Sequence, residues 1–158
     1  MKLDKLARKY RQCMESRLSD KGILFEHISD CEQVAGLKNN WLSGFAVGIK
    51  TNDIYADQFM WHIFSYQRMS CIEGDEATTR FLSQNKGQCY ILFQHHSDAY
   101  YLENAAALTQ CDIIGGSDFV SSDLYVVSKN FSWTYVVTHE SDFGPYFYHK
   151  NIGDTIFL

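Results

Sequence analysis

Residues 124–140 read LYVVSKNFSWTYVVTHE. Two runs of β-branched and aromatic residues flank the polar pair Lys129-Asn130, the pattern of a β-hairpin. Leu124 to Ser128 is expected as one strand and Phe131 to His139 as the next. In the second run Phe131, Trp133, Tyr135 and Val137 share one face, and Ser132, Thr134, Val136 and Thr138 share the other. That alternation fits a half-buried antiparallel strand. Downstream, Gly144-Pro145 ends a loop and Tyr146-Phe147-Tyr148 suggests an edge strand.

Upstream of the hairpin, residues 88–94 (QCYILFQ) predict a central strand. Residues 98–102 return beside it after His95-His96-Ser97. Residues 103–110 favour a short Ala-rich helix. At the N-terminus, Leu3, Leu6, Ala7, Tyr10, Met14 and Leu18 recur at helical spacing and predict an amphipathic helix over 2–19. Residues 23–28 predict a strand, and Asp30 caps a second helix with Gln33 three positions on. Cys31, Val34, Ala35, Leu37 and Leu42 would face inward from it. Residues 43–56 are expected as a loop, 58–66 (QFMWHIFSY) as a buried strand, and 76–85 as a helix opened by Asp75 and stopped before Gly87. Together these elements predict one α+β domain over residues 1–158. Its frame is a largely antiparallel sheet of five to six strands with helices packed on one face.

Charge and cysteine usage narrow the function. The net charge is −5, yet the first 17 residues carry six basic side chains against two acidic ones. No Lys or Arg occurs between Lys86 and Lys129, a stretch holding Asp98, Glu103, Asp112, Asp118 and Asp123. Such a stretch disfavours nucleic acid and favours a basic partner, or is simply a solvated region. Tyr55, Tyr66, Tyr100, Tyr101, Tyr125, Tyr146 and Tyr148 exceed what a core needs and supply candidate interface anchors. Five cysteines, an odd number with no CxxC pair, argue for reduced thiols in the cytoplasm. The N-terminal residues lack the apolar stretch of a secretory signal, and no apolar run is long enough to span a membrane.

Few motifs carry chemistry. There is no GxSxG elbow, no HExxH, no GxGxxG and no P-loop; Gly115-Gly116-Ser117 is only a glycine pair. Four of the cysteines sit among apolar neighbours, where a thiol is ordinarily inert core. The remaining candidate is a cluster of His95, His139 and Glu140, which follow two strong strands. If those strands end on the same side, imidazole and carboxylate meet and can hold a metal ion or move protons. Hydrogen-bonded structural histidines are the alternative.

Two resemblances add to this. Trp133-Thr134-x-x-x-Thr138-His139-Glu140, followed by Gly144-Pro145-Tyr146-Phe147, resembles a group of small bacterial proteins of unknown function. Trp61-His62-x-Phe64-Ser65 and Phe93-x-His95 are similar to the same group, so the resemblance spans about residues 58–149. It implies no activity; a site common to the group would have His62, His95, His139 and Glu140 as polar members. In profile, small and acidic with no catalytic motif, the chain is also similar to immunity proteins of bacterial toxin systems, including contact-dependent growth inhibition. The expectation is therefore a cytoplasmic binding protein, not an enzyme, with no cofactor, no nucleic acid and no membrane. It would cover a basic toxin domain such as a nuclease with Asp98, Tyr100, Glu103, Asp112, Asp118 and Asp123. A small enzyme or metal-binding protein using His95, His139 and Glu140 is the alternative, and another bacterial interaction module a third.

Overall fold

A computed structural model describes residues 2–47, 59–66, 70–114, 123–140 and 142–150. The elements run α1 (Lys2–Asp20), β1 (Phe25–Ile28), α2 (Cys31–Phe45), α3 (His62–Ser65), β2 (Ile72–Glu73), α4 (Asp75–Ser83), β3 (Cys89–Phe93) and β4 (Ala99–Leu102). A 3₁₀ turn (Ala105–Ala107), α5 (Gln110–Ile114), β5 (Leu124–Ser128), β6 (Trp133–Val137) and β7 (Tyr146–His149) complete the order. All seven strands join one sheet, β1-β4-β3-β5-β6-β7-β2, and every neighbouring pair is antiparallel. The expected α+β class holds, with seven strands where five to six were anticipated. Among the described residues no helix is long and apolar enough to cross a membrane.

Helices cover both faces of the sheet instead of one. On the first face Tyr10, Met14 and Leu18 of α1, Ala77 and Phe81 of α4, and Ile113 of α5 pack on Ile91, Val126, Trp133, Tyr135 and Phe147. On the second, Val34, Leu37, Trp41 and Phe45 of α2, with Ile63 and Phe64 of α3, pack on Leu92, Tyr125, Val127, Val136 and Tyr146. Strand alternation divides the residues between the two layers. A strand buried on both sides must also silence its polar side chains. Thr134, fully buried in β6, does so by donating to Val126 O (2.9 Å) and accepting from Trp41 Nε1 (2.9 Å).

Several elements differ from expectation. Helix α2 runs through Gly44 to Phe45, so its buried stripe is Val34, Leu37, Trp41 and Phe45, while Cys31 and Ala35 are exposed. Its start is as expected: the Asp30 side chain accepts from the N–H groups of Glu32 and Gln33. Described residues 59–66 form a turn and the short α3, not a strand; the apolar run is continuous because this segment lies under the second layer. Strand β7 is not an edge, since β2 pairs outside it. The hairpin turn is longer than Lys129-Asn130. Phe131 N–H donates to Ser128 O (2.9 Å), and Phe131 takes a left-handed conformation at φ 56°. That residue turns its ring toward Tyr90 on the second face, away from Trp133 and Tyr135.

Candidate functional site

Because β3 and β6 both lie antiparallel to β5, their C-terminal ends share one edge of the sheet. His95 follows β3, His139 follows β6, and Asp123 stands just before β5. The strand ends therefore meet as the His/Glu reading requires. Asp123 is fully buried. Its Oδ1 accepts from the backbone N–H of His139 (2.7 Å) and lies 2.7 Å from His139 Nδ1. An ionised carboxylate only accepts, so this contact assigns the proton to Nδ1 and turns Nε2 outward. Nε2 lies 3.4 Å from Glu140 Oε1, a contact that attracts only when the ring carries its second proton. Asp123 Oδ2 has no hydrogen-bond partner among the described residues.

Aromatic rings surround this line. The Phe59 ring contacts the rings of Trp61 (5.9 Å), His62 (5.1 Å), His95 (5.5 Å) and His139 (5.4 Å between centroids). Trp61 in turn meets His139 (6.1 Å), Phe143 (5.8 Å) and Tyr146 (6.5 Å). Phe143 and Tyr66 are exposed, whereas Trp61 is buried and its Nε1 is unpartnered among the described residues. The segment is strapped to the sheet by two side chains. Gln94 Oε1 accepts from Met60 N–H (2.9 Å) and from the Tyr125 hydroxyl, and that hydroxyl accepts from Trp61 N–H (3.1 Å). Burial, with the Asp123 charge added, raises the Tyr125 phenol well above its ordinary value and keeps it neutral.

The structure thus brings His62, His95, His139 and Glu140 around one aromatic patch, with Asp123 behind it. It does not make a metal site of them. Phe59 touches both His95 and His139, and among the described residues no group of three or more His, Cys, Asp or Glu can hold a metal ion.

The acidic partner face is dispersed. Tyr100 is fully buried and donates to Glu15 (2.6 Å), so it anchors α1 to the sheet and presents nothing to a partner. Asp112 is buried, bound to Lys21 (2.7 Å) and to the Thr109 N–H (2.8 Å) at the start of α5. Asp98 is half-buried between Arg11 (3.3 Å) and His27 (2.9 Å). Only Glu103 is exposed; Asp118 lies outside the described residues, as does Tyr55. Strand ends and helix caps use these carboxylates internally, which no charge count reveals. Phe59, Gln94 and Phe143 were not foreseen as parts of the site, and Tyr125 was named only as a candidate interface anchor. For Phe59 and Phe143 the hint was their flanking of the Trp61-His62 and His139-Glu140 segments, and for Gln94 its place beside His95.

No curated protein and no solved structure matches this chain. A family model does match, over residues 14–147, from the middle of α1 into β7. It includes every histidine and aromatic residue of the patch and reaches well upstream of the segment first singled out by resemblance. The chain belongs to the family described as a domain of unknown function, DUF4275.

Proposed function

We propose that this protein is a binding protein that takes a basic segment of another protein on the imidazole and aromatic rim in front of Asp123. The carrying observation is the buried Asp123 carboxylate, whose sole ion-pair partner among the described residues is His139. Negative charge held in a low-dielectric wall projects its field toward the open side of the site. Glu140, about half exposed, adds a second carboxylate at the rim. Phe143, exposed at the rim, offers its ring to a lysine or arginine side chain, the contact by which aromatics hold cations. The net charge of −5 acts in the same direction at longer range.

In its narrowest form the reading is an immunity protein that neutralises a basic toxin domain. The overall charge and the exposed Glu103 and Glu140 support that form; a continuous acidic face does not. The test is capture from source-cell lysate by the tagged full-length chain, compared with a Glu140→Gln/Phe143→Ala variant. Both side chains are exposed, so the variant keeps the fold. A basic protein held at stoichiometric level by the native chain and lost by the variant supports the proposal. Equal recovery by both chains refutes it.

A second reading has one observation in its favour. Asp123 orients His139 as a carboxylate orients the imidazole of a general base. On that reading the protein is a small acid–base enzyme. Its mark would be a His139→Gln variant that binds the captured ligand unchanged and leaves it chemically unaltered, where the native chain converts it.

A further inference from the structure

At the opposite end of the sheet, where β3 begins and β5 turns into β6, lies a cleft of about 660 Å³. Strand β3 separates it from the Asp123 site by about 16 Å, five residues at about 3.3 Å each. Eleven described residues line it and none of these is acidic, although the chain carries 19 Asp and Glu. Lys86, Lys129 and His149 are among its lining residues, with Gln84, Asn130 and the buried Trp133.

The two lysines play different parts. Lys86 is buried, and its ammonium donates to the carbonyls of Phe81 (3.0 Å), Leu82 (3.3 Å) and Gln84 (3.4 Å) at the C-terminal end of α4. A helix end carries about half a negative charge, so one ammonium more than cancels it and leaves the cleft wall positive. Lys129 is exposed. Its ammonium lies 5.7 Å from the Tyr101 ring centroid and makes no ion pair among the described residues. A cation with no ion pair among the described residues, a positive wall, amide side chains and no carboxylate among the described lining residues form an environment for an oxyanion. The volume falls in the range of small-molecule sites, about 300–1,000 Å³.

We propose that this cleft is a second binding site, for a small organic anion bearing a carboxylate or phosphate, with Lys129 as its direct ion partner. Gln84 and Asn130 would meet the neutral polar groups of such a molecule. This site is independent of the rim around Asp123 and stands whatever that rim binds.

Isotope-labelled full-length protein titrated separately with inorganic phosphate and with succinate, at constant ionic strength, tests the proposal by NMR. Saturable shifts confined to residues 84–88, 128–133 and 149 are expected. The anion that binds more tightly identifies the ligand as phosphate-like or carboxylate-like. Lys129→Gln, at an exposed turn, should weaken that binding by about tenfold while leaving the spectrum otherwise native. Glu140→Gln, at the other end of the sheet, should leave it unchanged. Absence of saturable shifts in the cleft with both anions, or equal affinity in Lys129→Gln, would overturn it.

Discussion

A carboxylate with both oxygens out of water must be held by its surroundings, and Asp123 is held through one oxygen by two N–H groups of His139. Removing that acceptor strands both donors. Asp123→Ala is therefore expected to cost about 1–3 kcal/mol of stability, and Asp123→Asn, which keeps an acceptor, clearly less. Urea midpoints of the two variants decide this. Trp41 poses the same question in the second core layer. Trp41→Phe keeps most of the ring but deletes the N–H bonded to Thr134, whereas Trp41→Ala opens a cavity. Losses of about 1–2 and about 3–5 kcal/mol are expected, read from the same denaturation curves. Thiols give a third check. Cys31 and Cys111 are exposed and should alkylate in the native protein; Cys89 is buried in β3 and should react only on unfolding, as mass spectrometry of the labelled peptides would show. Residue types were fully legible in the sequence, but their burial was not. Asp123 and Tyr100 were noticed as an acid and an aromatic, yet both are interior groups whose partners lie 16 and 85 positions away.

At the scale of elements, turn length decided what could be foreseen. A two-residue turn at Lys129-Asn130 would pair Ser128 with Phe131 and place Asp123 opposite Val136. The observed register pairs Val127 with Thr134 and Leu124 with Val137, which carries Asp123 to the neighbourhood of Thr138 and His139. A shift of two residues thus hid the pair at the centre of the site. Its cause is Phe131 in a left-handed conformation, a position usually given to glycine or asparagine. Strands β3, β4 and β5 were legible because β-branched and aromatic runs between turn residues have few other uses. The segment around Trp61 was not, because a continuous apolar run fits a buried strand and a buried helical turn equally. Helix α2 was legible at its start, where the cap chemistry is local. Asp30→Ala should cost about 0.5–2 kcal/mol, measured as a fall in thermal or urea midpoint, while Gly44 near its end is passed without a break.

The whole molecule is a seven-stranded sheet buried on both faces, and its titration behaviour follows from that burial. Burial pushes the Cys71 and Cys89 thiols and the Tyr146 phenol up to about 12 from ordinary values of 9.0 and 10.0. These groups are protonated in the folded state and ionise more easily when unfolded. Their contribution is complete below about pH 9 and is lost as pH rises toward 12. His96 and His149 shift the other way, lowered from 6.5 by burial first and nearby cations second. They favour the fold above pH 6.5, and that contribution is lost as pH falls through their folded values. A stability plateau between about pH 6.5 and 9, falling on both sides, is expected from denaturation midpoints across pH.

The most direct test of the recognition site is a hydroxyl-radical footprint of the native chain alone and in complex with the basic protein it captures. Phe59, His139 and Phe143 are expected to become protected on binding while residues 98–104, around Glu103, keep their reactivity. Protection around Glu103 with an unaltered rim at His139 and Phe143 would contradict that expectation.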